Sequence, residues 1–185
     1  EQAIKAINQM KTKRIDCIKL NNTVYASIAG IGFDALIARE FAKTKTRGFQ
    51  PYLKLVLQNY PQYKPQNYTL IIDDIEINTQ ALFVSFSNSN QFGFDVEIAN
   101  NASLCDGLID VVIVQKPPLP LLFWTAQLLF WRKFDNSIYV NAYQAKKITV
   151  KSNNPTGVNL DGEYAEFDTD LTFEIMPDSL NVIIP

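Results

Sequence analysis

Short segments rich in β-branched and aromatic residues follow one another along the chain from Tyr68 to the C-terminus. Turn-forming residues separate these segments, among them Asp73-Asp74 and two Asp-Gly steps. Many short strands joined by tight turns are typical of antiparallel sheets that pack face to face. The sequence therefore predicts a mainly β fold with a few helices (α+β), arranged as a β-sandwich.

Four stretches of the chain have a helical periodicity instead, at residues 3–10, 33–41, 51–60 and 119–133. Pro51 suits the first turn of the third stretch, because a residue there has no need of a backbone N–H. Leu53, Val56, Leu57 and Tyr60 are expected on one side of this third helix.

The fourth helical stretch is apolar on nearly every side, and its large side chains are Leu121, Leu122, Phe123, Trp124, Leu128, Leu129, Phe130 and Trp131. Burial on two sides is the interpretation that we favour for such a helix. The alternative is a helix that dips into a membrane interface, where Trp is well accommodated. A basic loop at Lys43, Lys45 and Arg47 is similarly either a solvated loop or a contact with anionic lipid headgroups.

The composition excludes several kinds of active site. The 185 residues are 47% hydrophobic and 19% charged, which suits one globular domain with a sizeable core. Histidine is absent, so Ser-His-Asp and Cys-His nucleophile systems and His-ligated zinc sites are excluded. Cys17 and Cys105 are far apart in sequence and are expected to be reduced thiols of a cytoplasmic protein.

Charge gives no indication of a nucleic-acid partner, because the formal net charge is −2. The charges are uneven, since Lys and Arg predominate in residues 1–50 and carboxylates predominate in residues 151–185. Two differently charged solvated faces explain this distribution most simply.

Two Asp-Gly steps are candidate functional sites, in SLCDGLID (103–110) and in NLDGEYA (159–165). Asp-Gly is also one of the dipeptides most often found in hairpin turns, so either step by itself indicates only a turn. In the second step Gly162 separates two carboxylates, Asp161 and Glu163, within an otherwise β-like segment. A surface turn and a site of carboxylate chemistry both remain open at this point.

Six segments, read in order, resemble the C-terminal domain of the diacylglycerol-kinase-like lipid kinases, a family that includes bacterial lipid kinases and sphingosine kinases. They are RIDCIKLNN, ASIAGIGFDALIA, NSNQFG, IANNASLCDGLIDVVIV, VNLDGE and LNVIIP. The resemblance implies the β-sandwich of the NAD kinase/diacylglycerol kinase-like fold at residues 14–185, preceded by a connecting helix at residues 1–13. The family's nucleotide lobe, with its GGDGT motif, is not in this sequence.

The resemblance also implies a function. The full-length protein is expected to be an ATP- and Mg²⁺-dependent lipid kinase that phosphorylates the hydroxyl of a diacylglycerol-like lipid at a membrane surface. By itself this chain is expected to be inactive, since the missing lobe would hold ATP. The implied localisation is cytoplasmic with peripheral membrane association, and the oligomeric state stays open between a monomer and a homodimer.

For the LDGE segment, the resemblance implies that Glu163 is the catalytic carboxylate and that Asp161 is its neighbour in catalysis. A carboxylate can accept the proton of a lipid hydroxyl that attacks phosphorus. The competing roles are contact with the nucleotide ribose, contact with phosphate-bound Mg²⁺, or a surface turn. Gly162 is expected to let the backbone bend so that one acid projects into the cleft between the two lobes.

For the SLCDGL segment, the resemblance implies a second Mg²⁺ held by the Ser103 carbonyl, the Asp106 carboxylate and the Leu108 carbonyl. Hard oxygen ligands of this kind suit Mg²⁺ or Ca²⁺. The alternative is that Asp106 only caps a turn. Two departures from the family pattern, Asn100 and the single Gly93, lie in a loop expected near the substrate.

Two further functions remain as alternatives. One is a non-catalytic lipid- or ligand-binding β-sandwich module, which the presence or absence of an upstream GGDGT motif would distinguish from a kinase. The other is a carboxylate-pair hydrolase, which needs two acids facing each other across a cleft. Asp161 and Glu163 are too close in sequence for that placement to be expected.

Overall fold

The computed structural model describes residues 2–93, 96–99, 101–130, 137–152, 155–168 and 170–184. Four helices lie within these residues: α1 (Gln2–Gln9), α2 (Phe33–Ala42), α3 (Phe49–Asn59) and α4 (Leu119–Phe130). The strands are β1 (Thr12–Leu20), β2 (Thr23–Tyr25), β3 (Ile28–Gly32), β4 (Gln66–Ile72), β5 (Ile75–Ala81), β6 (Phe83–Ser87), β7 (Gln91–Gly93), β8 (Val96–Glu97), β9 (Ile109–Val114), β10 (Val140–Ala145), β11 (Lys147–Lys151), β12 (Thr156–Leu160), β13 (Glu163–Phe167) and β14 (Leu171–Ile183).

Two six-stranded sheets form the body of the domain. The first sheet has the order β2-β1-β14-β11-β4-β5, and the second has the order β10-β9-β6-β3-β12-β13. Every strand pairing among the described residues is antiparallel, including the small β7–β8 pair. The mainly β prediction is therefore confirmed.

The main hydrophobic core lies between the two sheets, which confirms the sandwich. Each sheet contributes aliphatic side chains that are fully buried, because successive residues of a strand point to opposite faces and one face of each sheet is apolar. Phe86 of the second sheet stacks on Phe173 of the first, with ring centroids 3.9 Å apart. The core residues include Ile18, Leu70, Ile148 and Leu171 from the first sheet and Ile31, Val84, Ile113 and Val158 from the second.

Three hairpin turns place a polar residue in the left-handed region, at Asn21, Asp73 and Asp161. Asn and Asp tolerate positive φ better than other residues with a side chain, which is why these steps terminate strands. The predicted turns at Asn21-Asn22 and Asp73-Asp74 are confirmed as the β1–β2 and β4–β5 connections.

Strand β1 begins at Thr12, which lies inside the segment predicted as a connecting helix. Thr12 and Lys13 pair with Ile183 and Val182 of β14, so the long C-terminal strand draws them into the first sheet. Helix α1 ends before them, at Gln9. The predicted division at residue 14 stays a prediction, although the sheet itself starts earlier than that residue.

Helices α2 and α3 cover part of the outer face of the second sheet. Phe33 and Ile37 of α2 and Tyr60, which directly follows α3, form a buried cluster with Leu82. Helix α3 lies on the surface of this cluster and contacts it through Tyr52, Leu55 and Val56. Of the residues expected on one side of this helix, Val56 and Tyr60 contact the cluster, whereas Leu53 and Leu57 are exposed.

Of the large α4 side chains that the structure describes, Leu121 and Trp124 are exposed, so at these two positions the expected burial is not found. Leu122 packs on the α2–α3 cluster and Thr125 is buried. Trp124 is 63% exposed, since it lies on the side of α4 away from that cluster. Trp131 and the side chains of Phe123, Leu128, Leu129 and Phe130 lie outside the described part of the structure. Within the described residues, helices fall short of the length and apolarity needed to cross a bilayer.

Candidate functional site

The LDGE segment forms the turn between β12 and β13, where Leu160 pairs with Glu163. Asp161 and Gly162 occupy the two turn positions with φ of 47° and 96°. Positive φ at both positions defines the turn that matches the twist of a two-residue hairpin, and Asp-Gly is among the dipeptides that favour it. Gly162 therefore provides the positive φ that the turn needs. The two carboxylates flank it, with Asp161 in the turn and Glu163 at the start of β13.

The Asp161 carboxylate binds the backbone of the segment between β2 and β3. Oδ2 accepts the Ala26 N–H at 2.9 Å, and Oδ1 accepts the N–H groups of Ser27 and Ile28 at 3.0 and 2.8 Å. The Asp161 N–H in turn donates to the Ile28 carbonyl at 2.9 Å. Hydrogen bonds to an ionised acceptor are stronger than neutral ones, so these contacts fix the position of the turn.

Glu163 is the first residue of β13 and is exposed. In the described part of the chain, neither a hydrogen bond nor an ion pair engages its side-chain carboxylate. Its backbone is held by the fixed turn on one side and by the β12 pairing on the other. The backbone at Glu163 is therefore fixed, and its exposed carboxylate remains available to a substrate.

A buried carboxylate that the sequence analysis did not single out lies nearby in the same network. Asp34 is in the first turn of α2 and is only 4% exposed. Its Oδ2 accepts a hydrogen bond from Asn159 Nδ2 at 2.9 Å, while its Oδ1 has no hydrogen-bond partner among the described residues. The sequence feature that could have indicated a buried carboxylate is the acidic residue within the otherwise apolar segment ASIAGIGFDALIA.

Gly30 makes room for this buried carboxylate. A Cβ atom at residue 30 would lie 1.9 Å from Asp34 Oδ2 and 2.9 Å from Asp34 Cγ. Only a residue without a side chain allows Asp34 to approach the sheet so closely. Gly30 pairs with Asn159 across the β3–β12 ladder, so the glycine also brings the amide within reach of Asp34.

Asn159 joins the buried carboxylate to the LDGE turn. Its amide nitrogen donates to Asp34, and its Oδ1 accepts the Gly162 N–H at 3.0 Å. One side chain of β12 therefore contacts both α2 and the turn that carries Glu163.

Burial raises the pKa of Asp34 to about 6, and the hydrogen bond from Asn159 offsets part of that rise. Because the native state holds the proton more tightly than the unfolded chain, stability should fall as pH rises from about 4 to 6. The shift from 3.8 to about 6 corresponds to a loss on the order of 3 kcal/mol. In Asp34→Asn this part of the pH dependence should vanish, as measured by urea unfolding at several pH values. An unchanged slope in the variant would contradict the prediction.

The SLCDGL loop is shaped by a turn around Asp106. Asp106 is exposed, and its Oδ1 accepts the Leu108 N–H at 3.1 Å, while Gly107 has a φ of 71°. Ser103 is exposed as well, and its Oγ accepts the Cys105 N–H at 3.4 Å. The donor set of one carboxylate and backbone carbonyls has the right chemistry for Mg²⁺. The described residues contain no group of three or more His, Cys, Asp or Glu side chains that could hold a metal.

A second buried aspartate, Asp16, holds this loop on the sandwich. Its Oδ2 accepts the Gly107 N–H at 2.8 Å, and its Oδ1 accepts the Asp178 N–H at 2.9 Å. The Asp16 N–H donates to the Leu104 carbonyl at 2.7 Å. These contacts give the loop a fixed shape in the chain itself, and they were not foreseen from the sequence.

A cleft of about 650 Å³ lies apart from Glu163 and Asp34, which do not line it. It opens between α2 and the far end of the β12–β13 hairpin, and Arg39, Lys151, Tyr164 and Glu166 are among its polar lining residues. Strand alternation places Tyr164 and Glu166 on the opposite face of β13 from Glu163. This cleft and the Glu163 side chain therefore lie on different faces of the hairpin.

Residues 27–184 match the family model of the YegS C-terminal NAD kinase beta sandwich-like domain. The chain belongs to this family. The match includes β3 with Gly30, α2 with Asp34, the SLCDGL loop and the LDGE hairpin. The resemblance found in the sequence and the predicted β-sandwich of this fold are thereby confirmed.

Several known proteins that are similar to this YegS-type domain are named as lipid kinases or diacylglycerol kinases. A Staphylococcus carnosus (strain TM300) protein, provisionally named as a lipid kinase, is 22% identical over 178 residues, which cover 94% of this chain and 57% of that protein. A crystal structure of a provisionally named diacylglycerol kinase from Bacillus anthracis str. Sterne aligns with a TM-score of 0.75 at 20% identity and covers all of this chain. A second diacylglycerol kinase structure from that organism gives 0.67 at 15% identity over the whole chain.

The YegS-type domain spans 57% of the curated relative and 61% and 58% of the two structural neighbours. Because their sequence identity to this chain is only 20% and 15%, the two structural neighbours show the fold alone. Of the two departures from the family pattern, Asn100 lies outside the described residues, and Gly93 ends strand β7. The predicted effect of these departures on substrate choice stays a prediction.

Proposed function

We propose that this chain is the substrate-side domain of an ATP- and Mg²⁺-dependent lipid kinase that phosphorylates a diacylglycerol-like hydroxyl. The observation that carries the proposal is the exposed Glu163 carboxylate on a hairpin that Asp161 anchors to three backbone N–H groups. Membership of the YegS-type family and the kinase names of its relatives support the reaction class.

In the proposed reaction Glu163 accepts the proton of the lipid hydroxyl. The hydroxyl oxygen forms a bond to the γ-phosphorus of ATP, and the bond from that phosphorus to the β,γ-bridging oxygen breaks. ADP leaves with the electron pair of that bond. Enzymes accelerate such a transfer mainly by positioning and charge neutralisation, so a rigid support for the base matters as much as the base itself.

Asp161 is proposed as a positioning residue, in contrast to the expected catalytic neighbour of Glu163. Its two carboxylate oxygens already accept three backbone hydrogen bonds. These contacts assign both oxygens to holding the turn that carries Glu163. The same bonding argues against a carboxylate-pair hydrolase, in which both acids must act on the substrate.

The SLCDGL loop is proposed to hold a Mg²⁺ ion through the Ser103 carbonyl, the Asp106 carboxylate and the Leu108 carbonyl. The turn that Asp106 makes and the anchoring of Gly107 by Asp16 support a preformed loop. A metal there would contribute charge and rigidity to the loop. The chemical step assigned to Glu163 does not depend on it.

The proposal is tested by incubating the full-length protein with labelled ATP, Mg²⁺ and a panel of mixed lipid–detergent micelles, each with one lipid class. We expect label in the phosphorylated product of a lipid with a glycerol-type free hydroxyl, and none after chelation of Mg²⁺. The 185-residue chain by itself serves as the control and should show no transfer. Binding of lipids without transfer to any of them would instead favour the non-catalytic module.

A further inference from the structure

Residues 26–28, at the connection from β2 to β3, carry the backbone groups to which the LDGE hairpin is bonded, and we call them the anchor segment. Ala26 and Ser27 lie between the two strands, so the sheet ladders do not supply partners for their peptide groups. Peptide groups that are shielded from water need a hydrogen-bond partner from elsewhere in the chain. The Asp161 carboxylate meets this need for the N–H groups, and the carbonyl groups require a donor.

Asn88, in the NSNQFG segment, donates to these carbonyl groups. It directly follows β6 and is fully buried. Its side-chain Nδ2 donates to the Ala26 carbonyl at 2.8 Å, and its backbone N–H donates to the Ser27 carbonyl at 2.8 Å. The next residue reinforces the contact, because the hydroxyl groups of Ser89 and Ser27 lie 2.6 Å apart. The anchor segment is therefore held through its N–H groups by Asp161 and through its carbonyl groups by Asn88.

The same amide also contacts the residue that holds the SLCDGL loop. Nδ2 of Asn88 donates to the Asp16 carbonyl at 2.8 Å. The β1–β14 register shifts between Ile15 and Cys17, so Asp16 lies at an irregularity of the strand, where a residue is left out of the ladder. The Asp16 carbonyl is thereby available to Asn88, while its carboxylate accepts the Gly107 N–H of the loop.

The chemistry of these contacts requires an amide at residue 88. A primary amide nitrogen has two N–H groups, and here two carbonyl oxygens, of Asp16 and Ala26, accept them. A carboxylate of the same shape only accepts hydrogen bonds, so in this place it would repel both carbonyl oxygens. Asn88→Asp is therefore a substitution that preserves volume and removes the two contacts.

We propose that Asn88 is a positioning residue for phosphoryl transfer. It fixes the anchor segment, and the anchor segment fixes the Asp161 turn that carries Glu163. In the described part of the chain, the hydrogen bonds of Asn88 reach the LDGE hairpin only by way of the anchor segment. Its effect on the reaction is therefore exerted through Asp161, and a misplacement of a reacting group by about 1 Å is enough to lower a rate about 10²-fold.

This inference rests on the proposed function for its catalytic consequence. Its geometric part, that loss of the amide loosens the anchor segment and the SLCDGL loop together, needs neither ATP nor lipid. The two parts therefore call for two measurements, one of turnover and one of backbone protection.

Turnover is measured with the full-length protein at saturating ATP and lipid, and each rate is divided by the folded fraction that circular dichroism gives at the assay temperature. Asn88→Asp should lower kcat about 10²-fold and leave the KM of ATP and of lipid unchanged, because only the placement of the base is altered. Added to Asp161→Ala, it should lower kcat little further, since both act through one segment, whereas independent effects would multiply to about 10⁴-fold.

Asn21→Asp is the matched control, because it removes a similar contact in the first sheet. Nδ2 of Asn21 donates to the Asp170 carbonyl at 3.2 Å, far from the LDGE hairpin in the sheet order. Asp tolerates the φ of 50° at this position as Asn does. The corrected kcat of this variant should equal that of the wild type.

Backbone protection is measured by amide hydrogen exchange and mass spectrometry, without ATP or lipid. In Asn88→Asp, peptides that contain residues 26–28 and 105–108 should exchange about tenfold faster than in the wild type and in Asn21→Asp. A wild type that transfers no phosphate would contradict the proposed function alone. Unchanged exchange at these residues would contradict this inference alone.

The inference is also overturned if folded Asn88→Asp turns over as the wild type does, or if its loss multiplies with that of Asp161→Ala. Should Asn88→Asp fail to fold, Ser89→Ala takes its place, because it removes only the contact between the Ser89 and Ser27 hydroxyl groups. This milder variant should lower kcat and speed exchange at residues 26–28 about fivefold, and no change in either quantity would overturn the inference.

Discussion

Replacing Glu163 by glutamine in the full-length protein is expected to lower turnover by roughly 10²–10⁴-fold while the fold and the ATP affinity are retained. Glutamine keeps the size of the side chain but cannot accept a proton at neutral pH. The side chain is exposed and none of the contacts found in the described structure would be lost, so stability should be unaffected. Steady-state rates at saturating ATP and lipid, together with ATP titration and thermal unfolding, measure the three quantities.

Glu166→Gln is the matched control for this prediction. Glu166 is an exposed glutamate of the same strand, on its opposite face, where it accepts a hydrogen bond from the Tyr164 hydroxyl at 2.8 Å. Its substitution should leave turnover unchanged. If Glu163 instead only contacts the nucleotide ribose, Glu163→Gln would weaken ATP binding and spare the rate at saturation. No change in either quantity would reduce Glu163 to a turn residue.

Replacing Asp161 by alanine is expected to cost about 2 kcal/mol of stability and to lower turnover about 10²-fold. Three backbone N–H groups, of Ala26, Ser27 and Ile28, would lose their shared acceptor. Alanine is also less favourable than Asp at the φ of 47° that this turn requires. Urea unfolding measures the first effect, and the rate at saturating substrates measures the second.

Asp73→Ala separates the effect on the site from the effect on stability. Asp73 occupies the equivalent place in the β4–β5 hairpin, with a φ of 41°, and its Oδ1 accepts the N–H groups of Lys146 and Lys147. Its replacement should lower stability by a similar amount and leave turnover intact. Equal losses of turnover in both variants would mean that Asp161 supports the fold and does not position Glu163 in particular.

The sequence by itself determined the fold class and the local turns. Alternation of apolar and polar residues reports which face of a strand is buried, and Asn21, Asp73 and Asp161-Gly162 report where the chain reverses, because these residues tolerate positive φ. The absence of histidine limits side-chain acid–base chemistry in this chain to carboxylates, Lys, Tyr and Cys. Glu163 was nominated by the resemblance of the LDGE segment to the family, and the hairpin leaves it exposed.

Only the tertiary structure decided what the neighbouring residues do. The bonds of Asp161 to residues 26–28 and of Asn159 to Asp34 join positions more than a hundred residues apart, which local periodicity does not report. The orientation of α3 had the same origin, because both sides of that helix carry apolar residues and contact with Phe33 and Leu82 chose between them. A local pattern gives the apolar residues of a helix, whereas long-range packing determines which of them are buried.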